Sequence, residues 1–211
     1  MRPRTTLLVA VAALGLSACS SLGGGEVFNG QYYAATPVRS VTVGNAAMAV
    51  TPPRTWNEQR RQLLADMPWI ESWTLNGPLL DDLTFVTALP DRRALVRQQP
   101  SDNRQVPVFR SNMTAPEITS MLETMFRVRA GAVDFSTLSL KPRPLMGHPG
   151  FQWDFEHLDS DELRRKGRAV GAVINGRLYV IMLDAARMHY YPETIRDFEA
   201  IVASARLRAR R

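Results

Sequence analysis

Apolar and polar positions change rhythm several times along this chain, and each change marks an expected element. Leu7–Leu16 is an unbroken apolar run. Residues 38–53 carry β-branched side chains in partial alternation until Pro52-Pro53 halts any strand. Asn57–Asp66 is polar and suits a short helix or an irregular loop. Residues 69–90 hold two strand-like runs about the turn signal Asn76-Gly77-Pro78, and 100–110 reads as a loop. Ile118, Met121, Leu122, Met125 and Phe126 then recur at helical spacing. Thr114 and Glu117 form a capping box ahead of them, and Gly131 is a C-cap candidate. Phe151, Trp153 and Phe155 alternate with polar residues, as in a strand with one aromatic and one polar face. Two further runs flank Asn175-Gly176, a strong hairpin signal. Ile195, Phe198, Ile201 and Val202 predict a final helix starting near Pro192.

The first apolar run is too short to span a bilayer, which takes about 20 residues. With Arg2 and Arg4 before it and small residues after it, 1–18 reads as a secretory signal peptide. Leu16-Ser17-Ala18-Cys19 resembles the bacterial lipobox. That resemblance implies a diacylglyceryl group on the Cys19 thiol, cleavage before Cys19 and acylation of the new amino terminus. The membrane is then a partner through the anchor, since several acyl chains hold firmly where one does not. Ser20 in place of Asp implies the outer membrane, with the domain facing the periplasm. Residues 19–37, rich in Ser, Gly, Asn and Ala, read as the lipidated Cys and a flexible tether, leaving 38–205 as a single domain.

Composition fits one ordinary globular domain, with 45% hydrophobic and 22% charged residues. Cys19 is the only cysteine, so the mature domain relies on its core rather than on disulfides. The formal charge of +6 falls to +4 when Arg2 and Arg4 leave with the signal. Nearly all the basic residues are Arg, which a GC-rich genome that writes Arg in place of Lys explains, as does attraction to anionic lipid or cell-wall polymer. Export disfavours nucleic acid. Residues 206–211 form a basic C-terminal tail, either solvated or touching lipid headgroups.

Pro53-Arg54-Thr55-Trp56 and the late hairpin running into the final helix resemble the Mog1/PsbP-like α/β sandwich. The resemblance covers roughly 40–205 and implies an α+β fold, an antiparallel sheet with helices packed on its faces. It also implies a binding or assembly factor, with no shared catalytic set. The phrase ESWTLNGPLLDDLTF further resembles uncharacterised lipoproteins of alphaproteobacteria.

Candidate chemistry is sparse. His148, His157 and His189 lack metal-ligand spacing, and no cofactor motif, nucleophile elbow or phosphate loop occurs. Asp154 and Glu156 project from one strand face and suit acid/base work, as in a periplasmic hydrolase; a solvated polar face explains them equally. Asp81-Asp82 reads as turn and strand-edge polarity. Trp69, Trp73, Asn76 and Gly77 are the candidate binding surface. The leading expectation is a lipid-anchored, non-enzymatic binding or assembly module whose partner is another envelope protein or a cell-wall polymer. A structural lipoprotein is the remaining alternative.

Overall fold

The computed structural model describes residues 32–60, 67–96, 106–129 and 131–208. The expected signal peptide, Cys19 and most of the expected tether lie outside the described residues, as do the last three residues of the chain's basic end. The described chain runs β1 (Tyr33–Ala35), β2 (Val41–Val43), β3 (Met48–Val50), β4 (Asn57–Gln59), β5 (Ile70–Thr74) and β6 (Asp81–Leu89). It continues α1 (Ala115–Arg129), β7 (Val133–Pro142), β8 (Phe151–Leu158), β9 (Arg164–Ile174), β10 (Arg177–Ala186), α2 (Tyr190–Ser204) and β11 (Arg206–Leu207). Eight strands make one antiparallel sheet in the order β1-β4-β5-β6-β10-β9-β8-β7, and β11-β3-β2 make a small second sheet. The fold is α+β, as the sequence predicts.

Both faces of the large sheet are covered. On one, α1 delivers Ile118, Met121, Leu122, Met125 and Phe126 onto Val86, Trp153, Phe155, Ala169, Val180 and Met182. On the other, α2 and the small sheet bring Phe198, Ile201, Val43 and Met48 onto Trp73, Phe85, Ile181 and Leu183. The strands therefore read as near-continuous apolar runs at the centre, β10 being buried in nine of its ten positions.

Local signals act where expected. The Glu117 carboxylate accepts from the Thr114 backbone N–H and hydroxyl, both at 2.7 Å, closing the N-terminal turn of α1. Burial of the helix's apolar stripe does the rest. Asn175 and Gly176 both take positive φ, +49° and +71°, the turn whose twist matches the β9–β10 hairpin. Gly167 has a different reason: a Cβ there would lie 2.1 Å from Phe155 Cζ, so the glycine makes room for the cross-strand ring.

Three segments differ from expectation. Residues 33–35, read as tether, form edge strand β1, because Ala34 pairs with Glu58 and the Thr36 hydroxyl locks onto the Trp56 backbone. Asn57–Gln59 is accordingly strand, neither helix nor loop. Arg206 and Leu207, read as the start of a free tail, pair with β3 instead, and the Arg208 N–H bonds the Ala47 carbonyl. Each of these strands is two or three residues long and gains its hydrogen bonds only from distant chain.

Candidate functional site

The sheet face under α1 changes character toward one end. Strands β6, β8, β9 and β10 carry Val86, Phe155, Ala169 and Val180 in the cluster under α1, then turn polar two to four residues on, at Thr84, His157, Arg165 and Asp184. Helix α1 covers the apolar part, and its last turns leave the polar end open as a cleft of about 510 Å³. Its apolar walls are Pro78, Leu79, Met125, Phe126 and Met182. Its polar lining comes from Asp82, Thr84, Arg165 and Asp184, with Asp159, Ser160 and Asp161 in the β8–β9 loop. This volume falls in the range of ligand-binding sites.

An ionic group holds the floor. Arg165 Nε donates to Asp184 Oδ2 at 2.7 Å, and its terminal nitrogens donate to the Asp184 carbonyl at 3.0 Å and the Leu79 carbonyl at 2.6 Å. Asp159 lies 3.8 Å from the same guanidinium. His157 Nε2 meets Asp184 Oδ1 at 3.1 Å. Arg165 and Asp184 are both nearly buried, so each is tolerable only because the other is there. The His157 ring is stacked on Phe135, 3° from parallel, and packs against Phe126. It is 1% exposed, so it cannot reach a substrate and serves as a buried brace on Asp184.

The candidate binding surface does not assemble as the sequence suggested. Trp73 is 1% exposed; it packs edge-to-face on Phe85 and its indole N–H donates to Glu71 at 2.8 Å. Trp69 is half-buried against the α1-side cluster, so the two tryptophans serve opposite sides of the sheet. Asn76 and Gly77 are tied into a turn around Asp81. The next two residues, Pro78 and Leu79, are the ones that wall the cleft.

Asp154 and Glu156 are not a solvated face either, because side chains of the neighbouring strands pair with both carboxylates. Asp154 accepts from Ser139 at 2.7 Å, from Gln152 at 2.8 Å and from Arg168, which also donates to Glu199 of α2. Arg143 closes the network onto Glu199 at 2.6 Å. Glu156 faces Lys166 at 3.8 Å and Arg187 at 3.5 Å. Burial raises the Asp154 and Glu199 carboxyls, but hydrogen bonds outweigh it, from Arg168, Ser139 and Gln152 on the first and from Arg143 and Arg168 on the second. Both titrate below their ordinary range, so they are locked anions rather than bases. Burial lifts the neighbouring Tyr191 to about 12.

That network predicts acid sensitivity of a definite sign. Carboxyls lowered by folding contribute stability that is complete above their ordinary values of 3.8 and 4.5 and lost as pH falls through the lowered ones. The urea midpoint should drop between about pH 5 and about pH 3. Arg168→Met should lower the midpoint at neutral pH and flatten that dependence. An unchanged slope in the variant would refute the assignment.

His148 closes a turn with Leu145, and His189 precedes α2 near Glu193. Among the described residues, no group of three His, Cys, Asp or Glu is placed to hold a metal ion.

No protein-family model matches the sequence, and no curated protein does. A solved structure does: the solution structure of cyanobacterial PsbP (CyanoP) from Synechocystis sp. PCC 6803. It aligns over 92% of this chain and 99% of that one, at a TM-score of 0.54 and 13% identity. The fold is PsbP-like. At that identity the likeness speaks for architecture alone. Trp56, the motif residue that carried the resemblance, is fully buried in the α2-side core of this PsbP-like sandwich.

Proposed function

We propose that this chain is a lipid-anchored module that binds, positions or helps assemble an envelope component at the periplasmic side of the outer membrane, without enzymatic turnover. The observation that carries the binding role is the cleft at the open end of the α1 face. It is ligand-sized, walled by apolar side chains, and floored by ionic groups that satisfy one another. A floor of that kind recognises a partner by shape and charge without supplying a free acid or base. The address rests on the lipobox resemblance at Leu16–Cys19.

Two measurements test this reading. Palmitate labelling should mark the wild-type protein, and Cys19→Ala should abolish the label and release the protein from membranes; a variant that still fractionates with membranes sinks the anchor. A photo-crosslinking residue in place of Leu79, at the cleft, should capture an envelope component in intact cells. The same residue in place of Leu138, exposed on edge strand β7, should not. Equal capture at both positions removes the cleft as the binding site.

A further inference from the structure

The charge of the cleft is opposite to that of the chain. Four carboxylates, Asp82, Asp159, Asp161 and Asp184, line it against the single guanidinium of Arg165, a formal −3 in a protein of formal +6. Arg165 offers little to an incoming anion, because its nitrogens donate to the Asp184 carboxylate and to two backbone carbonyls. The carboxylates are spread over β6, β10 and the β8–β9 loop rather than converging on one point, and no metal-holding group of three is present among the described residues. The complement of such a lining is an organic cation whose body covers Met125, Phe126 and Met182.

The rim sets the size of that partner. Leu79 is 72% exposed at the mouth, and beyond the lining the loops bonded beside it expose Met188 at 83% and Leu163 at 37%. Those loops are tied together, the Arg187 N–H to the Arg164 carbonyl and the Ala186 N–H to the Leu80 carbonyl. A small cation filling the cleft would leave this apolar rim in water, whereas a polypeptide would cover it.

We propose that the cleft docks a polypeptide segment that inserts an arginine or lysine side chain among the aspartates while its apolar neighbours cover Leu79. This deepens the binding role proposed above and rests on it. The buried ionic floor pre-orders the site, so docking leaves no buried charge unpaired.

The test uses the full lipidated chain in detergent micelles and three capped pentapeptides, Leu-Ala-X-Ala-Leu, with X arginine, citrulline or glutamate. Citrulline keeps the shape of arginine without its charge. The arginine peptide should bind at least about ten-fold tighter than the citrulline one, the value of one charge-assisted hydrogen bond. It should shift the backbone amide signals of Leu79, Asp161 and Asp184. Asp161→Asn, at an exposed loop position, should weaken the arginine peptide and leave the citrulline peptide unchanged. Equal binding of arginine and citrulline peptides, tighter binding of the glutamate peptide, or shifts confined to residues away from the cleft overturns the proposal, as does binding of none of the three. Crosslinking at Leu79 is independent of peptide charge. Capture there with no arginine preference ends the cationic assignment alone, and loss of capture there ends the binding role itself.

Discussion

Arg165→Met is expected to destabilise the protein by about 3–5 kcal/mol, the cost of leaving a buried charge without its partner. Asp184 is 8% exposed and accepts from Arg165 Nε at 2.7 Å, so the substitution leaves a buried carboxylate between β9 and β10 with only His157 against it. It also frees the Leu79 carbonyl, which loosens the wall of the cleft. The pair as a whole contributes far less than that figure, because desolvating two ions offsets most of their attraction. Adding Asp184→Leu to Arg165→Met should therefore recover more than half of the loss. Urea unfolding of the three variants measures this. A single variant within about 1 kcal/mol of wild type would show that the guanidinium is solvated and the pair worth no more than a surface salt bridge.

How far this site was legible in the sequence depends on which residues made it. The capping box at Thr114, the aromatic alternation of Phe151–Phe155 and the Asn175-Gly176 turn are local signals, and the structure uses each as read. The PsbP-like resemblance lay in Pro53–Trp56 and the late hairpin running into the final helix, and the fold is of that kind. Arg165 could have been found: it is in phase with Gly167, Ala169 and Gly171, so the alternation that buries those residues also buries a charge. His157 likewise continues the Phe151, Trp153, Phe155 face rather than ending it. The error over Trp73 and Asp154 has a different source. Both readings assume a sheet with one wet face, and nothing local in β5 or β8 reveals that both sides are covered. The strands β1, β4 and β11 were out of reach for a third reason, since their pairing joins segments far apart and needs no periodicity in either. The cleft is lined by three strands, a helix end and the loops beside them, so no single local signal marks it.

A loss of similar size is expected at Asp81, at 0% exposure the most deeply buried carboxylate of the hairpin that ends at the cleft. It accepts from the Thr74 hydroxyl at 2.8 Å, the Leu75 N–H at 2.7 Å, the Asn76 N–H at 3.0 Å and the Asn76 side-chain amide at 2.7 Å. Those bonds fold the chain back through Gly77, whose φ of +111° favours glycine, and so fix Pro78 and Leu79 as a wall. Asp81→Ala leaves these buried donors without an acceptor and is expected to cost about 3–5 kcal/mol, several times the roughly 1–3 kcal/mol of a single orphaned group being tempered by water entering the turn. Asp81→Asn keeps one acceptor oxygen and should cost about half as much. Because Arg165 holds the Leu79 carbonyl of the same turn that Asp81 folds, the two sites are coupled through that turn and their effects should not add. The double variant Asp81→Asn/Arg165→Met should fall short of the summed losses by about 0.5–1 kcal/mol or more. Strict additivity would mean that the turn holds its shape without Asp81. The wall of the cleft would then owe its position to the packing of Pro78 alone.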